Sequence, residues 1–326
     1  LLMKKLIVLL LAFAMVGAAF AQAAAPAPAL KLSGALYGGV QYQSDTDEVS
    51  FSRYYGGNLD AFRVRINGSY SNDTIGAAFR LQTNVPGTAP TYARAYGWAK
   101  FFGGKLTANV GKLGDYTFAS PYNSYGAFDG TEGMELIVAP VAGLKVGAVL
   151  PVAVAGGKTL AKTFQDMAFG AAYSIKDVAD LAATVDLSDT AKPAVTAFAN
   201  IKAVKNLTAY IEYKGSLVGD AAGNNYIFEY AYYTMDKLTV GAMADQKLYN
   251  NGTTAADISI SPDVAYDITD AFNAGVSATI GLGGLAGDWS VGPYATLAIK
   301  NGEFGFGAGY DQDSTASVYT MWTFNF

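Results

Sequence analysis

The stretch FNAGVSATIGL, from Phe272 to Leu282, alternates between two kinds of side chain at every step. Its even-numbered residues are all apolar, and its odd-numbered residues are Asn, Gly, Ser or Thr. Successive side chains of a β-strand point to opposite faces, so this stretch predicts a strand with one apolar face. In water that face would need a second sheet to cover it, whereas in a lipid bilayer it needs no protein partner.

The same alternation recurs along most of the chain. From Ile258 to Ile268, apolar residues oppose Ser259, Ser261, Asp263 and Asp267, and Leu207, Ala209, Ile211 and Tyr213 oppose Thr208, Tyr210, Glu212 and Lys214. Segments of about 10 residues with this pattern, separated by turn residues, are typical of membrane β-barrels. The sequence therefore predicts an all-β chain that forms a transmembrane antiparallel β-barrel of about 16 to 18 strands.

Short and long connections alternate between these segments. The short ones predict hairpin turns, with Asn301-Gly302 the best type I′ candidate; they are Gly103 to Lys105, Lys205-Asn206, Asp236-Lys237, Thr269 to Ala271 and Asn301 to Glu303. The longer ones include Phe118 to Glu132, Ala155 to Gln165 and Gly219 to Asn224. Short turns at one end and longer loops at the other are expected of a barrel whose turns face the periplasm.

Composition excludes several classes of function. The chain contains no His and no Cys, so it lacks the commonest general base, thiol nucleophiles and the usual transition-metal ligands. We therefore expect neither catalysis nor a cofactor or metal site. The net charge of −5 and the absence of a basic stripe argue against nucleic-acid binding. After the extreme N-terminus no apolar run is long enough for a membrane-spanning helix.

The N-terminus has the features of an export signal. Lys4 and Lys5 precede an apolar stretch from Leu6 to Val16, and Ala19-Phe20-Ala21 matches a small-residue cleavage site. We expect residues 1–21 to be a signal peptide, cleaved after Ala21, and residues 22–326 to form one barrel domain.

The last segment carries the most specific signal. Val318, Thr320, Trp322, Phe324 and Phe326 fall on one face of a final strand. Such a strand, ending in Phe with alternating hydrophobic residues, resembles the assembly signal of Gram-negative outer-membrane proteins. The resemblance assigns the signal to Trp322, Phe324 and Phe326, and it implies contact with outer-membrane lipid and with the assembly machinery.

All five arginines of the chain lie between residues 53 and 94. Alternation places Arg63 and Arg65 opposite Phe62, Val64 and Ile66, and it gives Arg80 and Arg94 comparable positions on the next two segments. An Arg that faces lipid at mid-depth costs about 2 to 4 kcal/mol, so these side chains should point into the barrel. Adjacent strands would then present a basic wall to the interior.

A long loop, Gly114 to Gly133, follows the fifth segment and is rich in Gly, aromatic and acidic residues. In general porins the loop after the fifth strand folds into the barrel and places acids opposite arginines on the wall, and this chain resembles that plan. It departs from the plan because the loop offers only Phe128-Asp129-Gly130 in place of the usual acidic-aromatic-glycine motif. The resemblance implies a constriction formed by Arg63, Arg65, Arg80, Arg94, Asp129 and Glu132. The alternative is that these charges pair with neighbouring acids or are solvated in a wide channel.

These observations indicate a porin, a water-filled channel for passive diffusion of small hydrophilic solutes and ions, and porins of this size often form trimers. A substrate-selective channel for sugars or anions is the main competing hypothesis, if the tyrosines and Trp98 form a stacking track. Two further classes are a structural or adhesive surface barrel and a soluble secreted β-protein. Tyr226, Tyr230 and Tyr232 are expected to face outward, in an interfacial girdle or a subunit contact.

Overall fold

The computed structural model describes residues 29–51, 63–83, 90–114, 117–118, 128–152, 159–188, 193–216, 224–249 and 254–326. The predicted signal peptide lies outside these ranges. Among the described residues, no helix is long and apolar enough to cross a membrane. One short helix, α1 (Leu160–Gln165), is capped by the Thr159 side chain, which accepts a hydrogen bond from the Lys162 amide.

The described part of the chain is built almost wholly of strands. The segments are β1 (Ala29–Gln43), β2 (Glu48–Phe51), β3 (Arg63–Ser71), β4 (Ile75–Gln82), β5 (Thr91–Phe101), β6 (Leu106–Gly114), β7 (Asp129–Val141), β8 (Leu144–Pro151), β9 (Ala168–Ile175), β10 (Ala179–Asp186), β11 (Ala194–Ile201), β12 (Leu207–Ser216), β13 (Asn224–Met235), β14 (Leu238–Tyr249), β15 (Asp257–Thr269), β16 (Phe272–Gly283), β17 (Trp289–Ile299), β18 (Gly302–Asp311) and β19 (Ala316–Asn325).

These segments form one closed antiparallel barrel. From β3 to β19 each segment pairs with the next along the chain, and β19 pairs with β1. Both β2 and β3 pair with β1, at different heights, so together they form the second strand of the barrel. The nineteen segments thus make an eighteen-stranded barrel, which confirms the predicted fold class and lies within the predicted range of strand numbers.

The turns divide the barrel into a short-turn end and a long-loop end. At the short-turn end, Asn206 and Asp236 adopt positive φ angles of 65° and 55°, a conformation that Asn and Asp tolerate well. The Asn72 side chain accepts hydrogen bonds from the amides of Thr74 and Ile75 in the turn between β3 and β4. The type I′ prediction for Asn301-Gly302 was wrong, because neither residue has the positive φ that this turn requires.

The two faces of the wall follow the predicted alternation. On β16, Val276, Ile280 and Leu282 are exposed on the outer surface. On the inner side the Ser261 and Thr279 hydroxyls, from β15 and β16, hydrogen-bond to each other at 3.0 Å. An outward apolar face and an inward polar one are the arrangement expected of a barrel in lipid.

The last strand closes the barrel against the first. The amide of Phe326 donates to the carbonyl of Gly34 at 3.0 Å, and the Gly34 amide donates to the Phe326 carbonyl at 2.7 Å. The Phe326 ring covers Gly34, where an added Cβ would lie 2.2 Å from it. Phe324 packs edge-on against Phe304 of β18, with 5.6 Å between ring centroids. The alternate residues of β19 therefore share one face, as predicted.

Candidate functional site in the barrel interior

Four of the predicted site residues share the inner face of three adjacent barrel strands. Arg63 and Arg65 lie on β3, Arg80 on β4 and Arg94 on β5. In the register Arg80 stands directly opposite Asn67 on one side and Arg94 on the other. We call these four residues the arginine wall.

Neighbouring polar groups hold the arginine wall in place. The Arg65 Nε donates to Gln82 Oε1 at 3.2 Å, and its guanidinium lies 5.5 Å from the centroid of the Tyr37 ring. The Arg80 Nε donates to Asn67 Oδ1 at 2.8 Å. Gln82, Tyr37 and Asn67 are neutral, so they orient the guanidinium groups without neutralising their positive charge.

Arg94 lies against the start of the long loop. Its side chain passes over Gly114, where an added Cβ would come within 2.5 Å of Arg94 Cδ. Its Nη1 donates to the Gly114 carbonyl at 3.4 Å, and the Tyr96 hydroxyl donates to the same oxygen at 3.4 Å. The basic wall and the loop are therefore in contact where the loop leaves β6.

The loop enters the barrel through two aromatic residues. Phe118 and Phe128 are almost fully buried, and their ring centroids are 4.8 Å apart. They pack with a cluster of inward residues from β6 to β9: Leu113, Ile137, Val149 and Ala168. Gly147 and Gly170 have no side chain beneath Phe118, so the rings lie directly on the backbone. The predicted inward folding of this loop is confirmed for its described residues Phe118 and Phe128.

A polar pair is buried on the same part of the wall. Glu135 on β7 is fully buried and Asn109 on β6 is 1% exposed. The Asn109 Nδ2 donates to Glu135 Oε2 at 2.5 Å, and the two residues are direct partners in the register. A buried carboxylate requires such donors to offset its desolvation. The pair is therefore a buried part of the wall between β6 and β7.

The prediction that Glu132 belongs to the constriction was wrong. Glu132 pairs with Lys112 in the register and shares its face of β7 with Met134 and Val138. Together with Lys112, Met134 and the exposed Tyr92 it lines a groove on the outer surface. The two opposite charges face each other there, near the long-loop end. Asp129 begins β7 opposite Gly114, and its side chain lies outside the described residues.

A second charged region lies on the far side of the barrel. Glu212 on β12, Asp245 on β14 and Asp263 on β15 face the interior. Because the barrel has eighteen strands, β4 and β13 are separated by half of its circumference. The acids of β12, β14 and β15 therefore stand across the interior from Arg80.

The acids and the arginines also lie at similar depths. Arg80 is five residues beyond the start of β4, and Glu212 is five residues beyond the start of β12. Asp245 is seven residues beyond the start of β14, and Arg94 is seven residues before the end of β5. All four counts begin at the short-turn end. The interior therefore has a positive and a negative side at one level.

An aromatic row lies on the same inner wall as the acids. Every second residue in part of β13 is aromatic: Tyr226, Phe228, Tyr230 and Tyr232. The residues between them share the outer face with the exposed Tyr233. Tyr230 stacks on Tyr210 of β12, with ring centroids 5.4 Å apart and an interplanar angle of 15°. The predicted outward orientation of Tyr226, Tyr230 and Tyr232 was wrong, because their register partners on β12 include Lys214 and Tyr210, which face inward.

Sequence reasoning missed the acids and the aromatic row as parts of the interior site. The alternation Leu207 to Lys214 does place Glu212 on the polar face. What the sequence lacks is the register that brings Glu212, Phe228 and Asp245 side by side on three strands. The orientation of Tyr226, Tyr230 and Tyr232 was predicted wrongly because aromatic residues are common on both faces of a membrane barrel.

No protein-family model and no curated protein matches this chain. Solved structures do match, among them engineered variants of the porin of Rhodopseudomonas blastica. A triple mutant of that porin is 16% identical with a TM-score of 0.55, and a variant with five substitutions is 18% identical with a TM-score of 0.54. Each match covers 91% of this chain and 100% of the other. The chain has the barrel fold of these porins.

Proposed function

We propose that the protein is an outer-membrane porin that forms a water-filled channel for passive diffusion of small hydrophilic solutes and ions. The observation that carries this proposal is the arginine wall on the inner face of a closed eighteen-stranded barrel. A barrel of this strand number encloses more space than its own side chains fill. Charged residues on such an inner face need either water or hydrogen-bond partners, and a water-filled interior supplies the former.

The channel's selectivity follows from the charges that face the passage. The arginine wall attracts anions, and the acids of β12, β14 and β15 create a field directed across the passage. Phe118 and Phe128, from the long loop after β6, pack on the inner side formed by β6 to β9 and take up space between the charged walls. Polar solutes can align in that field, whereas apolar solutes gain nothing to offset their dehydration.

Replacement of Arg63 and Arg80 with Ser tests the role of the wall. We expect the anion-to-cation permeability ratio, measured in planar bilayers under a salt gradient, to fall by about threefold or more, because two positive charges leave the narrow part. Lys105→Ser removes one positive charge from the exposed turn between β5 and β6 and serves as the control. An unchanged ratio in the Arg63→Ser, Arg80→Ser double variant would contradict the proposal.

Location and assembly are part of the same proposal. Export is driven by residues 1–21, with cleavage after Ala21, and Trp322, Phe324 and Phe326 on the closing strand engage the assembly machinery. The outer apolar face contacts lipid, and the molecule associates as a homotrimer. We assign it no catalytic activity.

A further inference from the structure

The inner wall of β12 to β14 carries charges of both signs in two neighbouring rows. In the first row Glu212, Phe228 and Asp245 are direct cross-strand partners. In the second row, two residues nearer the long-loop end, Lys214, Tyr226 and Lys247 are direct partners. Each row therefore has an aromatic residue in the middle and two like charges at its sides.

Five of the six residues in these rows line a single cavity. Glu212, Lys214, Tyr226, Phe228 and Asp245 line a space of about 240 Å³ in the barrel interior. The Glu212 carboxylate is 2% exposed and accepts a hydrogen bond from the Tyr210 hydroxyl at 2.5 Å, so it is held in place. Tyr226 is 38% exposed and presents its ring to the interior.

The spacing of the rows sets the kind of solute that the cavity fits. Two residues along a strand span about 6.7 Å. This distance separates the backbone positions of the acidic row from those of the lysine row. A molecule with an ammonium group and a carboxylate on the same carbon can reach both, since each charge-assisted hydrogen bond adds about 2.8 Å. The rings of Tyr226 and Phe228 then offer an apolar surface to its side chain.

We infer that this cavity is a subsite for zwitterionic solutes of the α-amino-acid type. Asp245 binds the ammonium group, Lys214 binds the carboxylate, and Tyr226 contacts the side chain, while the buried Glu212 carboxylate adds negative potential beside Asp245. Lys247, whose Nζ lies 4.9 Å from the centroid of the Tyr249 ring, adds positive potential at the carboxylate end. The inference deepens the proposed channel by naming a class of solute, and binding can be measured without conduction.

Three related compounds test the inference on the full-length barrel in detergent. L-phenylalanine carries both charges, phenethylamine only the ammonium group, and 3-phenylpropanoate only the carboxylate. Binding is measured by saturation-transfer NMR. We expect phenylalanine to bind at least about tenfold more tightly than either single-charge compound, because it forms both charge-assisted contacts. Equal binding of all three compounds, or binding of none, would overturn the inference.

Single substitutions separate the two charge sites. Asp245→Asn should abolish the preference for phenylalanine over 3-phenylpropanoate, and Lys214→Gln should abolish the preference over phenethylamine. Asp245→Glu should retain both preferences, which shows that the charge is the cause. Lys145→Gln and Asp267→Asn change inward charges elsewhere and should leave both preferences intact. Heat-modifiable migration on gels confirms that each variant is folded.

Failure of the subsite and failure of the channel give different results. If the preferences are present but no conductance is measured in planar bilayers, the subsite is supported and the proposed channel is contradicted. If the protein conducts ions but binds the three compounds without preference, the subsite is contradicted and the channel is supported. Control variants that lose the preferences as completely as Asp245→Asn would also overturn the subsite.

Discussion

Gly170 shows how a single missing side chain positions the inserted loop. A Cβ at this position would lie 2.7 Å from Phe118 Cγ and 3.0 Å from Phe128 Cε2. Both rings are buried in the cluster that anchors the loop, so neither has space to retreat. The residue that determines where the loop docks is therefore on the wall of the barrel, on β9.

Gly170→Ala is expected to loosen the loop without opening the barrel. Overpacking of a well-packed cluster costs about 1 to 3 kcal/mol, and here the cost falls on the contact between loop and wall. Limited proteolysis with chymotrypsin should cut the loop of Gly170→Ala at least about fivefold faster than that of the parent protein.

Gly97→Ala is the matched control for Gly170→Ala. Gly97 also lies in a barrel strand, but the atom nearest to its added Cβ is the Gly76 carbonyl oxygen at an ordinary 3.5 Å. Chymotrypsin should cut the loop of Gly97→Ala at the same rate as the loop of the parent protein. Equal rates for Gly170→Ala and Gly97→Ala would show that Phe118 does not anchor the loop.

At the scale of the element, the contact between β1 and β19 joins the two ends of the barrel. The nine register pairs between Ala35 and Gln43 on one strand and Asn325 and Ser317 on the other close the sheet. This contact brings together the segments most distant in sequence, so its loop-closure entropy is large. Closure should therefore be sensitive to interactions at its end, such as Phe326 over Gly34.

Phe326→Ala is expected to slow refolding from urea into lipid vesicles by about threefold or more, because the closing contact loses its terminal ring. The heat-modifiable fraction, followed over time on gels, measures this rate. Val318→Ala is the control, since Val318 is exposed on the same face of β19 as Phe326 but lies at the opposite end of the contact with β1. Refolding of Phe326→Ala at the parent rate would contradict a role of this residue in closure.

The elements were largely predictable from the sequence, and the register between neighbouring strands was not. Alternation in Phe272 to Leu282 is a local property, and lipid on one side makes it strict, so strands and faces could be read directly. The position of Glu132 was predicted wrongly because this residue lies close to the boundary between loop and strand, where a shift of one residue changes the face that a side chain takes. The row of Glu212, Phe228 and Asp245 depends on the register of three strands, which no local pattern encodes.

At the scale of the whole molecule, the barrel separates charge across its interior. Arginines on β3 to β5 face acids on β12, β14 and β15 at a similar depth, while Phe118 and Phe128 pack on the wall between β6 and β9. Neither the arginine wall nor the acids of β12, β14 and β15 alone determine which solutes pass through the barrel. The field depends on closure of the sheet, because only in a closed barrel do strands half the order apart, such as β4 and β13, face each other.

Single-channel conductance of the purified protein in a planar bilayer decides whether the barrel is an open, charged channel. We predict stepwise openings with a linear current–voltage relation, and under a salt gradient a reversal potential that shifts when Arg63 and Arg80 are replaced with Ser. Persistent silence from folded, heat-modifiable protein would contradict the channel and would indicate a plugged, structural or adhesive barrel.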